Sequence, residues 1–102
     1  MLKILVFTAT YNEINNIEEL IINIKKNCNT ADILIIDDSS PDGTGILLKK
    51  KELVDNKLKI IIREKKLGLD TAHKAAYQYA LINSYDYLIT MDADHSHNPS
   101  EI

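Results

Sequence analysis

Four short apolar runs recur along the chain, at residues 4–7, 33–36, 60–62 and 87–91. They are rich in isoleucine and valine, are not interrupted by alternating polar residues and are too short to be helices. Such runs are typical of parallel strands that are covered on both faces. We therefore predict strands at these positions.

The segments between the runs show helical periodicity. Residues 12–28 and, more weakly, residues 45–54 carry apolar side chains three or four positions apart, and residues 70–83 predict an alanine-rich helix that Asp70 caps. The apolar positions are Ile14, Ile17, Leu20, Ile21, Ile24 and Cys28 in the first segment, Leu47, Leu48, Leu53 and Val54 in the second, and Ala72, Ala76, Tyr79 and Ala80 in the third. Strands and helices that alternate in this way predict an α/β fold, a Rossmann-like parallel sheet with alternating helices and right-handed crossovers.

A distinctive polar cluster follows each predicted strand: "TYNE" (10–13), "DDSSPDGTG" (37–45), "REKKLGLD" (63–70) and "DADHSH" (92–97). Because the carboxyl ends of parallel strands lie at one edge of a sheet, the clusters share the edge where open α/β sheets bind ligands. With the strand order 3-2-1-4, the binding crevice falls between the first and fourth strands. We therefore expect Tyr11 and Glu13 to lie close to Asp92 and Asp94.

Asp92 and Asp94 follow the fourth run with one residue between them. Two carboxylates this close repel each other, and a divalent cation relieves the repulsion. Hard oxygen ligands suit Mg²⁺ or Mn²⁺, which then bridge to a nucleotide diphosphate. The alternative is a solvated acidic turn before a following helix. His95 is interpreted as a hydrogen-bonding residue. For His97, a hydrogen-bonding role and a role as a metal ligand fit equally well.

Asp37 and Asp38 end the second run, where a carboxylate suits recognition of ribose hydroxyls or of a base edge. The alternative is that the serine, proline and glycine residues after them simply form a turn. The two interpretations are compatible if the turn fixes the backbone conformation and one of the two acids faces the ligand. A G-x-G-x-x-G sequence after the first run and a phosphate-binding Gly-Lys-Ser/Thr loop are both missing from the sequence, which argues against a dinucleotide oxidoreductase and a P-loop enzyme.

Length, charge and cysteine content exclude further classes of protein. A chain of 102 residues is one domain at most, and its net charge of -3 with a single arginine, Arg63, argues against a nucleic-acid partner. Cys28 is the only cysteine, so it forms no internal disulfide. Because the sequence has no apolar run of membrane-spanning length and no signal-peptide cleavage site, we expect a cytoplasmic protein.

Four blocks in this order, "TATYNEINNI", "ILIIDDSSPDGTG", "REKKLGLDTAHKAAYQYAL" and "MDADHSHNP", resemble glycosyltransferase family 2. They most resemble its polyprenyl-phosphate mannosyltransferase branch, the dolichol-phosphate mannose synthases. The resemblance implies a GT-A fold, a sugar nucleotide donor such as GDP-mannose, a polyprenyl phosphate acceptor and a divalent metal, Mg²⁺ or Mn²⁺. It also implies that the full-length form works at the cytoplasmic face of a membrane, with peripheral association through the part that this chain lacks.

The resemblance also assigns roles to residues. It implies that Asp92 and Asp94 are the catalytic acids and bind the metal. The nucleotide-binding residues that it implies are Ala9, Tyr11, Glu13, Ile36, Asp38, Asp92, Ala93 and Asp94.

The sequence departs from the family pattern in several respects. Ala9 replaces a usual proline, Asp70 replaces a usual glycine, and Ser96 replaces a glutamine that ligates the metal in some members. Family catalytic domains are also roughly twice as long, within the normal range for one domain. We therefore expect residues 1–102 to be the sugar-nucleotide-binding N-terminal part of a truncated family 2 domain, with little or no turnover alone. The alternatives are a non-catalytic nucleotide-binding module that is completed by another chain, and a family 2 transferase that uses a UDP-sugar.

Overall fold

Strands and helices alternate along the whole described chain. The computed structural model describes residues 3–10, 15–28, 30–38, 42–63 and 69–92. The strands are β1 (Ile4–Thr10), β2 (Asp32–Asp37), β3 (Leu58–Ile62) and β4 (Tyr87–Asp92), and the helices are α1 (Ile17–Asn27), α2 (Thr44–Glu52) and α3 (Leu69–Ile82). This order confirms the predicted α/β fold.

The four strands form one parallel sheet in the order β3-β2-β1-β4. The predicted order is therefore confirmed, and the reversal of strand order lies between β1 and β4. In this register Thr10 pairs with Asp37, and Ala9 pairs with both Ile36 and Asp92. Strands β1, β2 and β4 run past the apolar runs that predicted them, since the backbone ladder continues through polar residues at their carboxyl ends.

Side chains of the sheet alternate between two apolar clusters, as the period of a strand requires. Helices α1 and α2 cover one face, which includes Val6, Ile35 and Ile60. Helix α3 covers the other face, which includes Phe7 and Ile36. Its buried residues Ala72, Ala76 and Ala80 are small, which allows the helix to pack close to the strands. The predicted apolar face of α3 is thus confirmed.

Two local predictions about helix ends are wrong. Leu53 and Val54 fit the helical period, but α2 ends at Glu52 and both side chains are almost fully exposed. Asp70 lies inside α3, which begins at Leu69, so it is not the N-cap.

The turn between α3 and β4 is tied to the amino edge of the sheet. Ser84 adopts a φ of 59° there, and the Tyr85 hydroxyl donates to Asp32 Oδ2 at 2.5 Å. Burial, together with this hydrogen bond, raises the pKa of Tyr85 above its ordinary value. The hydrogen bond joins the turn before β4 to the start of β2, at the end of the sheet opposite the predicted site.

None of the helices in the described ranges is long and apolar enough to cross a membrane. The longest of them, α3, has 14 residues, whereas a span needs about 20 apolar residues.

Candidate functional site

The carboxyl ends of β2, β1 and β4 bring three of the implied nucleotide-binding residues side by side. Ile36, Ala9 and Asp92 are direct neighbours across these strands. Ile36 is fully buried and Ala9 partly buried, both on the face that α3 covers. The backbone of Asp92 therefore lies at the crevice between β1 and β4, where the sequence predicted a binding site.

The adjacent acids Asp37 and Asp38 point to different partners. Asp37 is fully buried, and Thr10 Oγ1 donates a hydrogen bond to its Oδ1 at 2.7 Å. Its other oxygen, Oδ2, lies at the first turn of α2, where a carboxylate interacts favourably with the helix dipole. Asp37 therefore joins β1, β2 and α2.

Gly45 makes this close packing possible. A Cβ atom at position 45 would lie 2.9 Å from Asp37 Oδ2 and 3.1 Å from Ile62 Cδ1. With any larger residue here, the Asp37 side chain, the Ile62 side chain or the start of α2 would have to move. Gly45, the second glycine of the "PDGTG" segment, is thus needed for helix–strand packing.

A short turn leads into α2. Gly43 has a φ of 91°, a conformation that glycine adopts without strain. Asp42 Oδ1 accepts hydrogen bonds from the Thr44 backbone N–H at 3.0 Å and from Thr44 Oγ1 at 2.5 Å. The turn interpretation therefore holds for residues 42–44, while residues 39–41 lie outside the described ranges.

Asp38 forms a two-pronged ion pair with Arg63. Arg63 Nε donates to Asp38 Oδ1 at 2.5 Å, and Nη2 donates to Oδ2 at 2.8 Å. The Arg63 and Asp38 side chains are only 12% and 10% exposed. Arg63 Nη1 also donates to Thr71 Oγ1 at 2.8 Å, in the first turn of α3. One guanidinium thus connects the ends of β2 and β3 with α3.

Sequence reasoning missed the contributions of Thr10, Gly45 and Arg63. Arg63 was notable in the sequence only as the single arginine. A usable signal was its position directly after the third apolar run, because that places a cation at the same sheet edge as the acid after the second run.

The remaining predicted site residues lie outside the described ranges. These are Tyr11, Glu13, Ala93 and Asp94, together with His95 and His97. Within the described residues no group of three or more histidine, cysteine or acidic side chains could hold a metal ion. Asp92 ends β4, and the metal-binding role predicted for Asp92 and Asp94 stays a prediction.

A separate depression of about 800 Å³ lies at the opposite edge of the sheet. It is bordered by Ile22 of α1, by Leu53 and Val54 after α2, and by Leu58 at the start of β3. None of its lining residues belongs to the strand ends that carry the acids, so it is not part of the candidate site.

The sequence matches the profile of Glycosyl transferase family 2 over residues 5–102. Polyprenol monophosphomannose synthase of Mycolicibacterium smegmatis is 38% identical over 101 residues, which are 98% of this chain and 38% of that protein. Undecaprenyl-phosphate mannosyltransferase of Micrococcus luteus is 34% identical, over 99% of this chain and 42% of that protein. Dolichol-phosphate mannosyltransferase of Pyrococcus furiosus is 35% identical, over 99% of this chain and 28% of that protein. The chain therefore spans less than half the length of each of these relatives.

The fold also matches a solved glycosyltransferase. The mannosyltransferase PcManGT from Pyrobaculum calidifontis, solved in complex with GDP-Man and Mn²⁺, superposes with a TM-score of 0.67 at 24% identity. The match covers 76% of this chain and 24% of that one. It confirms the predicted GT-A type of α/β fold, and the profile match over nearly the whole sequence shows that this chain belongs to glycosyltransferase family 2.

Proposed function

We propose that residues 1–102 form the donor-binding part of a transferase that moves mannose from GDP-mannose to a polyprenyl phosphate. The observation that carries the proposal is that the strand ends carrying Asp38 and Asp92 lie at one edge of a parallel sheet, on either side of β1. The choice of mannose and polyprenyl phosphate is supported by the names of the relatives at 34–38% identity.

In the proposed donor site, residues at different strand ends bind different parts of the nucleotide. Asp38 contacts the base, and Tyr11 and Glu13 after β1 hold the nucleoside. The diphosphate lies toward Asp92 and Asp94. The proposed floor of this site is Ile36 and Ala9, because Ala9 pairs with Ile36 on one side and with Asp92 on the other. The arrangement follows the rule that open α/β sheets bind ligands where strand order reverses.

The proposed reaction is a single displacement with inversion at the anomeric carbon. A phosphate oxygen of the acceptor forms the new bond to that carbon while the bond to the β-phosphate oxygen of GDP breaks, and GDP leaves with the electron pair. An acceptor phosphate is already ionised near neutral pH, so no general base has to remove a proton from it. A divalent metal on Asp92 and Asp94 would stabilise the charge that develops on the leaving diphosphate.

Calorimetric titration of the chain with GDP, UDP and GDP-mannose, with and without Mn²⁺, tests donor binding. We expect Mn²⁺-dependent binding of GDP and GDP-mannose that Asp94→Ala abolishes. The control is Glu19→Ala, which removes an exposed acid of α1 and leaves binding unchanged. Equal loss in both variants would contradict a specific role for Asp94, and tighter binding of UDP than of GDP would favour the UDP-sugar alternative.

The exposed edge of the sheet favours a second candidate, a nucleotide-binding module completed by another chain. In the described part of the chain β4 pairs only with β1. Tyr87 on β4 is 57% exposed, and Leu81 and Ile82 at the end of α3 are 63% and 80% exposed. An open strand with an apolar flank invites pairing with a further strand, and each relative is more than twice as long as this chain.

Binding of a completing polypeptide separates the two candidates, because both predict little or no transfer of mannose to polyprenyl phosphate by the isolated chain. If this chain needs a partner, we expect no transfer of mannose to polyprenyl phosphate by the isolated chain even when it binds GDP-mannose. A charge on the open strand, as in Tyr87→Lys, would then weaken binding of the completing polypeptide without changing GDP affinity. Turnover by the isolated chain would rule out the module that depends on a partner.

A further inference from the structure

The backbone of β3, which forms one edge of the sheet, directs alternate residues toward β2 and away from it. The Lys57 carbonyl and the Arg63 N–H each form a hydrogen bond of 2.8 Å with the backbone of β2. Because alternate residues of a parallel strand bond to the same neighbour, the odd-numbered residues of β3 face β2. Leu58 and Ile60 therefore direct their N–H and C=O groups toward the open side of the strand.

Side chains of α2 supply the hydrogen bonds that a neighbouring strand would make to Ile60. The Ile60 N–H donates to Glu52 Oε2 at 2.7 Å, and the Ile60 carbonyl accepts from Lys49 Nζ at 3.1 Å. Lys49 also donates to Glu52 Oε1 at 3.3 Å, which joins the two side chains. The Leu58 N–H donates to the Asp55 carbonyl at 3.2 Å. A further strand would have to displace these contacts, so β3 is protected against pairing.

Strand β4, which forms the other edge, has a sequence without the usual protection. In the described part of the chain it pairs only with β1. Natural proteins often protect an edge strand with lysine or proline. Both residue types are absent from Tyr87–Asp92, whereas β3 carries Lys59. Thr90 is exposed and Leu88 only partly buried, so the middle of β4 is accessible to a further strand.

Large apolar side chains surround this open edge. Those that are more than half exposed are Tyr77, Leu81, Ile82 and Tyr87. Tyr77 and Leu81 of α3, together with Leu88, line a depression of about 190 Å³ beside the strand. The four exposed side chains leave roughly 500 Å² in water, if a large side chain has about 200 Å². With the strand edge added, this area approaches the roughly 800 Å² that each partner buries in a stable interface.

From the difference between the two edges we infer that β4 docks a second copy of this chain, in antiparallel pairing about a two-fold axis perpendicular to the sheet. A strand edge is complementary to itself in this arrangement, since each copy offers the same N–H and C=O groups. The axis keeps α3 of both copies on one face, where Tyr77 and Leu81 of the two copies meet. Because β3 is protected, association stops at a closed dimer and does not continue into a fibre. This pairing is independent of nucleotide binding.

Sedimentation velocity of the full chain over a range of concentrations tests the dimer. We expect a species with twice the mass of one chain and no larger species at higher concentration. Thr90→Lys places a charge on the open strand, twice in a symmetric dimer, and should weaken the dimer by about tenfold or more. Leu53→Lys is the control, because it adds the same charge at a side chain that is 85% exposed on the β3 side of the molecule. The control should leave the dissociation constant unchanged.

The double variant K49M/E52M tests the protection of β3, because it removes both hydrogen bonds to Ile60. With both edges open, this variant should form particles larger than a dimer that bind thioflavin T. Thr90→Lys added to it closes the β4 edge again and should limit the triple variant to a dimer at most. Lys50→Met, at an exposed position of the same helix, should remain dimeric like the wild type.

A folded wild-type chain that stays monomeric would overturn the inference and leave the β4 edge to a different polypeptide. A dimer that Thr90→Lys and Leu53→Lys weaken equally would also overturn it. If Thr90→Lys does not fold, Leu81→Lys decides, because Leu81 is exposed and lies in the same contact. Equal aggregation of the double and triple variants would indicate unfolding and would overturn the role of Lys49 and Glu52. A dimer that binds no nucleotide would contradict the proposed function and leave this inference standing.

Discussion

Two threonines of β1 allow the same substitution to be tested in two environments. Thr8 and Thr10 are both almost completely buried and, two residues apart on one strand, face the same side of the sheet. Thr10 Oγ1 donates to Asp37 Oδ1 at 2.7 Å. Thr8 Oγ1 is buried without a hydrogen-bond partner in the described part of the structure. Substitution by valine keeps the branched shape and the strand propensity and replaces the hydroxyl by a methyl group.

The two substitutions should have opposite effects on the free energy of unfolding. Thr10→Val removes a donor from a buried carboxylate, which costs about 2 kcal/mol, because hydrogen bonds to charged groups contribute about 1.5–3 kcal/mol. Thr8→Val removes a hydroxyl that is desolvated without compensation and should stabilise the chain by about 1 kcal/mol. The expected difference is therefore about 3 kcal/mol between variants that differ only in position.

Urea unfolding followed by circular dichroism measures this difference, provided that the slope of free energy against urea concentration is equal in both variants. For a chain of this size, Thr10→Val should lower the unfolding temperature by about 10 °C. The reasoning fails if Thr8→Val destabilises the chain as much as Thr10→Val does. That result would mean that the hydroxyl of Thr8 is satisfied and that Thr10 holds no special place among the two.

The tight packing at Gly45 and the raised pKa of Tyr85 give two further predictions. Gly45→Ala should destabilise the chain by about 1–3 kcal/mol in urea unfolding although alanine favours helices, because its Cβ would lie 2.9 Å from a carboxylate oxygen of Asp37. Ile46→Ala on the exposed side of the same turn is the control. A Gly45→Ala variant as stable as the unsubstituted chain would show that α2 can shift at no cost. The folded-state pKa of Tyr85 lies above its ordinary value of 10.0, mainly through burial. The unfolded chain therefore loses this proton first, so stability is fully present below about pH 10 and falls as pH rises further, by up to about 1.4 kcal/mol per pH unit. Tyr85→Phe should reduce this alkaline slope and Tyr77→Phe should not; equal slopes in both variants would refute the assignment.

The fold could be read from the sequence because local periodicity reports burial. Short apolar runs marked all four strands, and alanine spacing marked the buried face of α3. Periodicity failed where a long-range contact ends a helix. Leu53 and Val54 continue the helical pattern, but the Glu52 carboxylate accepts a hydrogen bond from the Ile60 backbone N–H at 2.7 Å. That contact ties the end of α2 to β3, and the two apolar residues fall in the turn beyond it.

The contact between Asp38 and Arg63 was harder to predict, because they lie 25 positions apart and belong to no local pattern. It depends on the register of β2 and β3, in which Asp37 is opposite Ile62. Residues 38 and 63 continue that register by one step. Hydrophobic patterns locate strands but shift freely by two residues without moving a side chain to the other face, so they do not determine which strand-end residues meet.

Asp37 and Asp38 contact different partners because of the geometry of a strand. Successive residues of a strand project to opposite faces, so an Asp-Asp pair at a strand end cannot place both carboxylates in one ligand site. Asp37 accordingly packs against Gly45 beneath α2, and Asp38 meets Arg63 on the side of α3. An acid that is fully buried at a helix start has little left to offer a ligand. Of the two acids, only Asp38, which is paired with Arg63, therefore remains a candidate for the predicted contact with a base.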